Sequence, residues 1–462
     1  MTIERWVREQ VDGYPLTDAI LGRRSRRFAP GMEIPHGPFA FRSERAPRPL
    51  TEEDVAALVC AAAGFSGYAL ADLSYGPGEG GSMLGGMTGR VVASPDSLDT
   101  VSLFVIDDDG AWFVRRPQNL GVEARDEVVR LCRERRFVEA ARRLRVRVAD
   151  ERVAPPVEPG VNFDINRWSA HAPGTTTFLP VSDVSGVLVN ALLEIFEPSM
   201  GLCVVDERNR FRPAGLRRFL RSRGGPLHDD PRDGRVVTIQ GLESSLIEAA
   251  GVEMGGMLHA LGLMGQALGL GGFCTYARHE YAWLEPLGFD TTPMSSARYA
   301  GARGLVALGA RLLGKTFDFP VASGLRRDGE VLLRAWAPPE YEDMAAAVRA
   351  FVAYKFGTDG MWRGRTRGTS WREREARAAA IAPPSETAVE ATIAFASYVH
   401  ERYGRFPAYS QPFRTAIAYQ AGHVDLDFYD RFFGEEALGP TQRARAELEL
   451  ESPGPPESSE SP

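Results

Sequence analysis

Apolar positions along the chain follow two periods, and the switches between them mark the elements. From 49 to 64, PLTEEDVAALVCAAAG places Val55, Leu58, Val59 and Ala62 on one helical face. Thr51 stands at the N-cap position, Asp54 can reach back to it, and Gly64 can end the helix. The period drops to two in TVSLFVIDDDGAWFVRR (100–116), where apolar runs flank a DDG turn and predict a β-hairpin. EARDEVVRLCRERRFVEAARRLR (123–145) returns to helical spacing and predicts one long amphipathic helix, its arginines solvated beside Glu partners.

Further along, 182–197 and 252–270 read as buried helices, and 340–357 and 385–404 as amphipathic ones, the last capped by Ser385. GLCVVDERNRFRPAG (201–215) and FPVASGLRRDGEVLLRAWAPP (319–339) read as strand–turn–strand units, and RVVTIQ (235–240) as a short strand. The glycine-rich stretch 76–90 reads as a loop, and the Pro/Ser/Glu-rich end as a disordered tail. The sum is an α+β chain of long helices and a few hairpins.

Composition narrows the functional classes. Of 462 residues, 44% are hydrophobic and 25% charged, the balance of a soluble globular protein. The net charge of −7 argues against a surface built for nucleic acid. Cys60, Cys132, Cys203 and Cys274 are far apart, with no CxxC or zinc-like spacing, and read as free thiols in a reducing cytosol. The start, MTIERWVREQ, has no apolar signal segment, so a cytoplasmic location is expected. The stretch 254–277 has no charged residue, but seven glycines, His259 and Gln266 favour a helix in a protein core over a membrane span. Neither a strand–GxGxxG–helix fingerprint nor a P-loop occurs.

Against this acidic background, AILGRRSRRFAPG (19–31) sets four arginines around one serine. A solvated basic turn and a phosphate pocket are both open readings. An arginine fork gives bidentate, charge-assisted bonds to phosphate, and a serine hydroxyl adds a neutral one. Two further features follow in order: Arg90 and Ser94 just before the hairpin, and the apolar helix VEMGGMLHALGLMGQAL closing on Gly-Leu-Gly. Together with the A-A-x-G end of the 49–64 helix, these resemble the flavin-dependent nitroreductase superfamily, nearest its azoline (thiazole/oxazole) dehydrogenase branch, over roughly residues 15–290.

The resemblance implies a three-layer α-β-α fold with a central antiparallel-type sheet and a long buried helix. It implies a flavin-binding domain over 1–290 with a connector at 120–180. Outside the likeness, a C-terminal extension dense in aromatics over 401–433 would cover 291–440, wrapping a partner subunit or closing as a lid, and composition makes 441–462 a disordered tail. Flavin mononucleotide (FMN) is the implied cofactor. Arg23, Ser25 and Arg27 match the phosphate positions, with Arg24 beside them. Gly269, Gly271 and Gly272 match a turn where glycine lets the backbone approach the ring. Arg90 and Ser94 match a segment lining the cofactor, Arg90 as a donor to the N1–O2 edge of the reduced ring. The implied activity is ping-pong oxidoreduction by a homodimer, from NAD(P)H or a reduced substrate to an unidentified small-molecule acceptor; the scarcity of lysine beside arginine reads as a bacterial high-GC bias, and composition as no nucleic acid or membrane partner.

The chain departs from the branch at three points. The step from Ser25 to Phe28 is one residue short, His259-Ala260 replaces Gln-Asn, and the Lys-Tyr pair of the peptide-modifying members is absent. A binding or scaffold protein without turnover therefore stays open. So does a metal-dependent hydrolase at His423, Asp425 and Asp427, against the simpler reading of a His–Asp hydrogen bond in an aromatic extension.

Overall fold

A computed structural model describes residues 1–68, 70, 88–95, 98–157, 163–302, 304–361 and 370–451. The glycine-rich 76–90 stretch lies outside this set up to residue 87, as does the tail from 452. The fold is α+β, organised on a seven-stranded sheet. Its order is Gly271–Tyr276, Ile417–Gly422, Thr176–Asp183, Val101–Asp107, Gly110–Val114, Arg145–Ala149, with neighbours antiparallel; Phe413–Arg414 joins the far end of Thr176–Asp183.

The hairpin forms as its alternation predicts. Leu103 and Val105 point to one side of the sheet, Phe104 and Ile106 to the other. Gly110 closes the DDG turn at φ +146°, where any Cβ would meet the Ala149 carbonyl oxygen at 2.4 Å.

The Leu103 face is covered by helices. Helix Glu52–Ala63 opens with the expected capping box between Thr51 and Asp54, and packs on the 30-residue helix Ile239–Leu268. This long helix starts at a Thr238 cap, well before the apolar stretch, and stops at Gly269 in a left-handed turn. Before its last turn it is buried along one side, with Met254, Met257, Leu258 and Leu261 facing the core and Val252, Gly255 and His259 exposed; Gly265, Gln266, Ala267 and Leu268 are all buried.

The Phe104 face carries something other than the second helical layer of an α-β-α sandwich. It packs on a small sheet, Phe289–Ser295, Asp318–Arg327 and Glu330–Arg334, and the short helix Glu280–Leu284. A third core gathers helices Val184–Ile195, Met344–Phe356 and Glu386–Tyr403 around strand Cys203–Asp206.

Several expectations change. The helix expected over 123–145 is two, Val122–Arg133 and Phe137–Leu144, because Arg135 turns left-handed at φ +58° and ends the first. The 120–180 segment, expected as a connector, supplies strands Arg145–Ala149 and Thr176–Asp183. The expected C-terminal extension contributes Ile417–Gly422 to the middle of the sheet. The start of the expected disordered tail is helix Pro440–Glu451, held by buried charge.

Candidate functional site

The arginine-rich loop is fixed from behind. Trp6 donates Nε1–H to the Leu268 carbonyl at 3.0 Å, tying the first helix to the end of the long one. Arg26, buried, donates from Nη1 to Gln266 Oε1 (2.8 Å) and from Nε to the Ala437 carbonyl (2.8 Å). Its own amide bridges to the Gly272 carbonyl at 3.3 Å. Arg26 is thus the anchor of the loop, and its neighbours face outward around it.

On the outer side lies a cleft of about 600 Å³. Arg24, Ser25 and Arg27 line one wall, and Phe39, Trp168 and Phe433 lie among the aromatic lining. Phe28 is its floor, stacked on Phe428 at 4.1 Å and edge-on to Phe41 at 5.5 Å. Phe39 and Phe433 stack in parallel at 5.6 Å. Tyr429 accepts the Phe28 amide at 3.1 Å, and burial pushes its phenol up to about 12, so it stays a neutral donor.

Arg27 is half-buried between the Trp168 and Phe273 rings, 4.9 and 4.6 Å from their centroids. Its Nη2 donates to the Ile165 carbonyl, Asn166 Oδ1 and Ser169 Oγ at 2.8, 2.8 and 3.1 Å. Its Nε is buried with no acceptor among the described residues. Burial lowers the guanidinium pKa from its ordinary value.

Among the described residues, Arg23, Arg24, Arg26 and Arg27 make no ion pair, although Arg42 and Arg45 nearby pair with Glu33 and Asp427. Glu436 is the one acid lining the cleft. In a chain of net charge −7, four arginines left without carboxylates make a local positive field.

The structure brings together Arg24, Ser25 and Arg27. It places the other sequence-derived residues elsewhere. Arg23 lies along the long helix, its Cδ 3.1 Å from where a Cβ on Gly262 would stand, and does not line the cleft. Arg90 is buried, donating to the Val101 carbonyl at 2.6 Å and pairing with Glu253 at 3.2 Å. Glu253 is thirteen residues before Gln266, about 20 Å along the helix. A donor role for Arg90 in this cleft is therefore excluded. Ser94 Oγ accepts the Asp99 amide in the turn before the hairpin.

The glycine turn adjoins the loop but is filled by protein. A Cβ on Gly272 would strike the Tyr419 hydroxyl, one on Gly271 would stand 2.9 Å from the Arg26 carbonyl, and Gly269 abuts Arg445 of the terminal helix. These glycines serve chain packing rather than approach to a ring.

The metal reading fails on partners. His423 Nδ1 meets Glu449 at 2.6 Å, and Nε2 faces the Pro49 carbonyl at 3.1 Å. Asp425 caps helix Leu426–Phe432 and accepts from Ser43, and Asp427 pairs with Arg45. Among the described residues, no group of three or more His, Cys, Asp and Glu could hold a metal ion.

Sequence reasoning missed Trp168, Phe39, Phe433 and His36, all lining the cleft. Aromatic density over 401–433 was the one signal, and it gave no hint that those rings face residues 24–39.

No protein-family model matches the chain, and no curated protein does. Among solved structures, it is similar to the crystal structure of a "putative nitroreductase" from Ralstonia eutropha JMP134. The two share 15% identity over 57% of this chain and 70% of that one, at a TM-score of 0.25. A likeness of that size carries no argument.

Proposed function

We propose that the cleft binds a planar, anionic ligand, and that this ligand is FMN in an oxidoreductase. One observation carries the reading: arginines without carboxylate partners form the rim of an aromatic cleft of about 600 Å³. That volume suits a drug-sized or cofactor-sized molecule. The FMN identity comes from the resemblance of the R-R-S-R-R stretch; the cleft chemistry fits it at both ends.

At the anionic end, Arg24 and Ser25 are exposed at the cleft wall, and Arg27 Nε is a buried donor with no acceptor among the described residues. These residues would hold a phosphate. At the planar end, Phe39, Trp168 and Phe433 offer ring faces, and the apolar walls exclude water from whatever stacks there. The glycine turn takes no part. When bound, flavin supplies two-electron chemistry between a reduced nicotinamide and an acceptor. The chain's residues position it: Arg26 fixes the loop, Arg24 and Arg27 neutralise the phosphate, and the aromatic walls orient the ring.

Purified full-length protein is expected to carry, or take up, FMN with its visible absorbance, and Arg24→Ala to weaken uptake about tenfold or more. A colourless protein that takes up none overturns the reading. Binding without turnover is the second reading, favoured by the position of Arg90 far from the cleft. Bleaching of the absorbance by NADPH separates the two.

A further inference from the structure

Among the described residues, a strongly exposed apolar surface lies far along the chain from the cleft segments. Helix Gly304–Leu312 has no buried residue. Leu305, Val306 and Leu312 are 85%, 70% and 78% exposed, and Leu313 and Phe317 just beyond are 72% and 65% exposed. The small residues Ala307, Gly309 and Ala310 are the less exposed ones. This is the reverse of a surface helix in a globular protein, which turns its leucines inward. A contiguous aliphatic face of this kind marks a contact surface.

The charge around it is equally particular. Between Asp290 and Asp318 the sequence has no acid, and its cations include Arg298, Arg311 and Lys315. Arg311 and Lys315 are exposed and make no ion pair among the described residues. The rest of the chain is acidic, yet at physiological salt only charges within about 8 Å are felt strongly, so the local cations decide what approaches.

We propose that this helix and the turn after it dock the protein on an anionic lipid surface. Leu305, Leu312 and Leu313 would enter the headgroup–acyl boundary, with Arg311 and Lys315 on lipid phosphates. The charge pattern is complementary to such a surface. A second copy fits less well, since two-fold pairing over so short a face would gather Arg311 and Lys315 of both copies with no acid in the helix to offset them. A protein partner is disfavoured by the aliphatic composition, as tight protein contacts centre on Trp, Tyr and Arg. Spanning is not implied: no helix among the described residues is long and apolar enough to cross a membrane. The proposal departs from the sequence-based expectation of no membrane contact.

The test is co-sedimentation of the full chain with vesicles of phosphatidylcholine plus phosphatidylglycerol, against phosphatidylcholine alone. Sedimentation with the anionic vesicles is expected. Leu305→Glu/Leu312→Glu should lower it by about tenfold per leucine. Arg311→Glu/Lys315→Glu should lower it by about fivefold per charge. The altered side chains are exposed, so the thermal midpoint should not move, and FMN uptake should be unaffected. Wild-type protein left in the supernatant with both vesicle types overturns the proposal. So does equal sedimentation with neutral vesicles, or a leucine variant that sediments like the wild type. A dimer lost in the leucine variant, without vesicle binding, overturns it in favour of a second copy.

Discussion

Arg26 and Arg24 stand two residues apart and have opposite roles, and substitution separates them. Arg26 is buried, with its guanidinium spent on Gln266 and the Ala437 carbonyl. Arg26→Ala leaves those acceptors unpaired and should cost about 2–3 kcal/mol of unfolding free energy in urea titration. Arg24 is exposed, bonding among the described residues to the Leu21 and Arg23 carbonyls of its own loop. Arg24→Ala should stay within about 0.5 kcal/mol of the wild type while losing the anion. Equal destabilisation by both would remove the distinction between anchor and ligand-facing arginine. The charge cluster was legible in the sequence because it is local. Which arginine turns inward was not, since that depends on Gln266 and Ala437, more than two hundred residues away. Arg90 shows the converse: a motif position can match while its side chain is spent on Glu253.

Among the elements, those closed by local signals formed as read. Thr51, the DDG turn and Ser385 each start or end an element within a few residues, and the structure has all three. The terminal helix Pro440–Glu451 was not legible, because its cause is buried charge from distant segments. Arg445 forks onto Asp54 (3.1 and 2.7 Å) and also pairs with Glu449, which meets His423. Burial opposes ionisation of Glu449, but His423 and Arg445 outweigh it and hold the carboxyl at about 2. A carboxyl depressed in the folded state stabilises fully above its ordinary value of about 4.5, and that contribution is lost as pH falls from there towards about 2. Wild-type stability should therefore fall across that window, and Glu449→Gln should flatten the fall. At neutral pH, Arg445→Ala strands two buried carboxylates and should cost about 3–5 kcal/mol. An unchanged acid profile in the Glu449 variant would show that the network does not hold the helix.

At the scale of the whole molecule, segments from both sides of residue 290 build the sheet and the cleft. A boundary near 290 follows from where the family-like motifs stop, yet the sheet crosses it. Strand Ile417–Gly422 lies between Gly271–Tyr276 and Thr176–Asp183, pairing Gly271 with Gly422 through to Tyr276 with Ile417. Such pairing is invisible to local pattern, because alternation says that a strand is half-buried but not which strand lies beside it. The cleft has the same origin: Arg24, Ser25 and Phe39 meet Phe428 and Phe433 only once that strand is in place. A chain ending at residue 290 would bare the inner edges of Gly271–Tyr276 and Thr176–Asp183, and exposed edges of this kind template aggregation. It would also lose the Glu449 and Asp425 contacts that hold the ends together. The 1–290 fragment should therefore aggregate on gel filtration and lack a cooperative thermal transition, whereas a chain ending at 451 should behave as the full protein does. A soluble, cooperatively unfolding 1–290 fragment that takes up FMN would restore the boundary, and would place the ligand on the N-terminal segment alone.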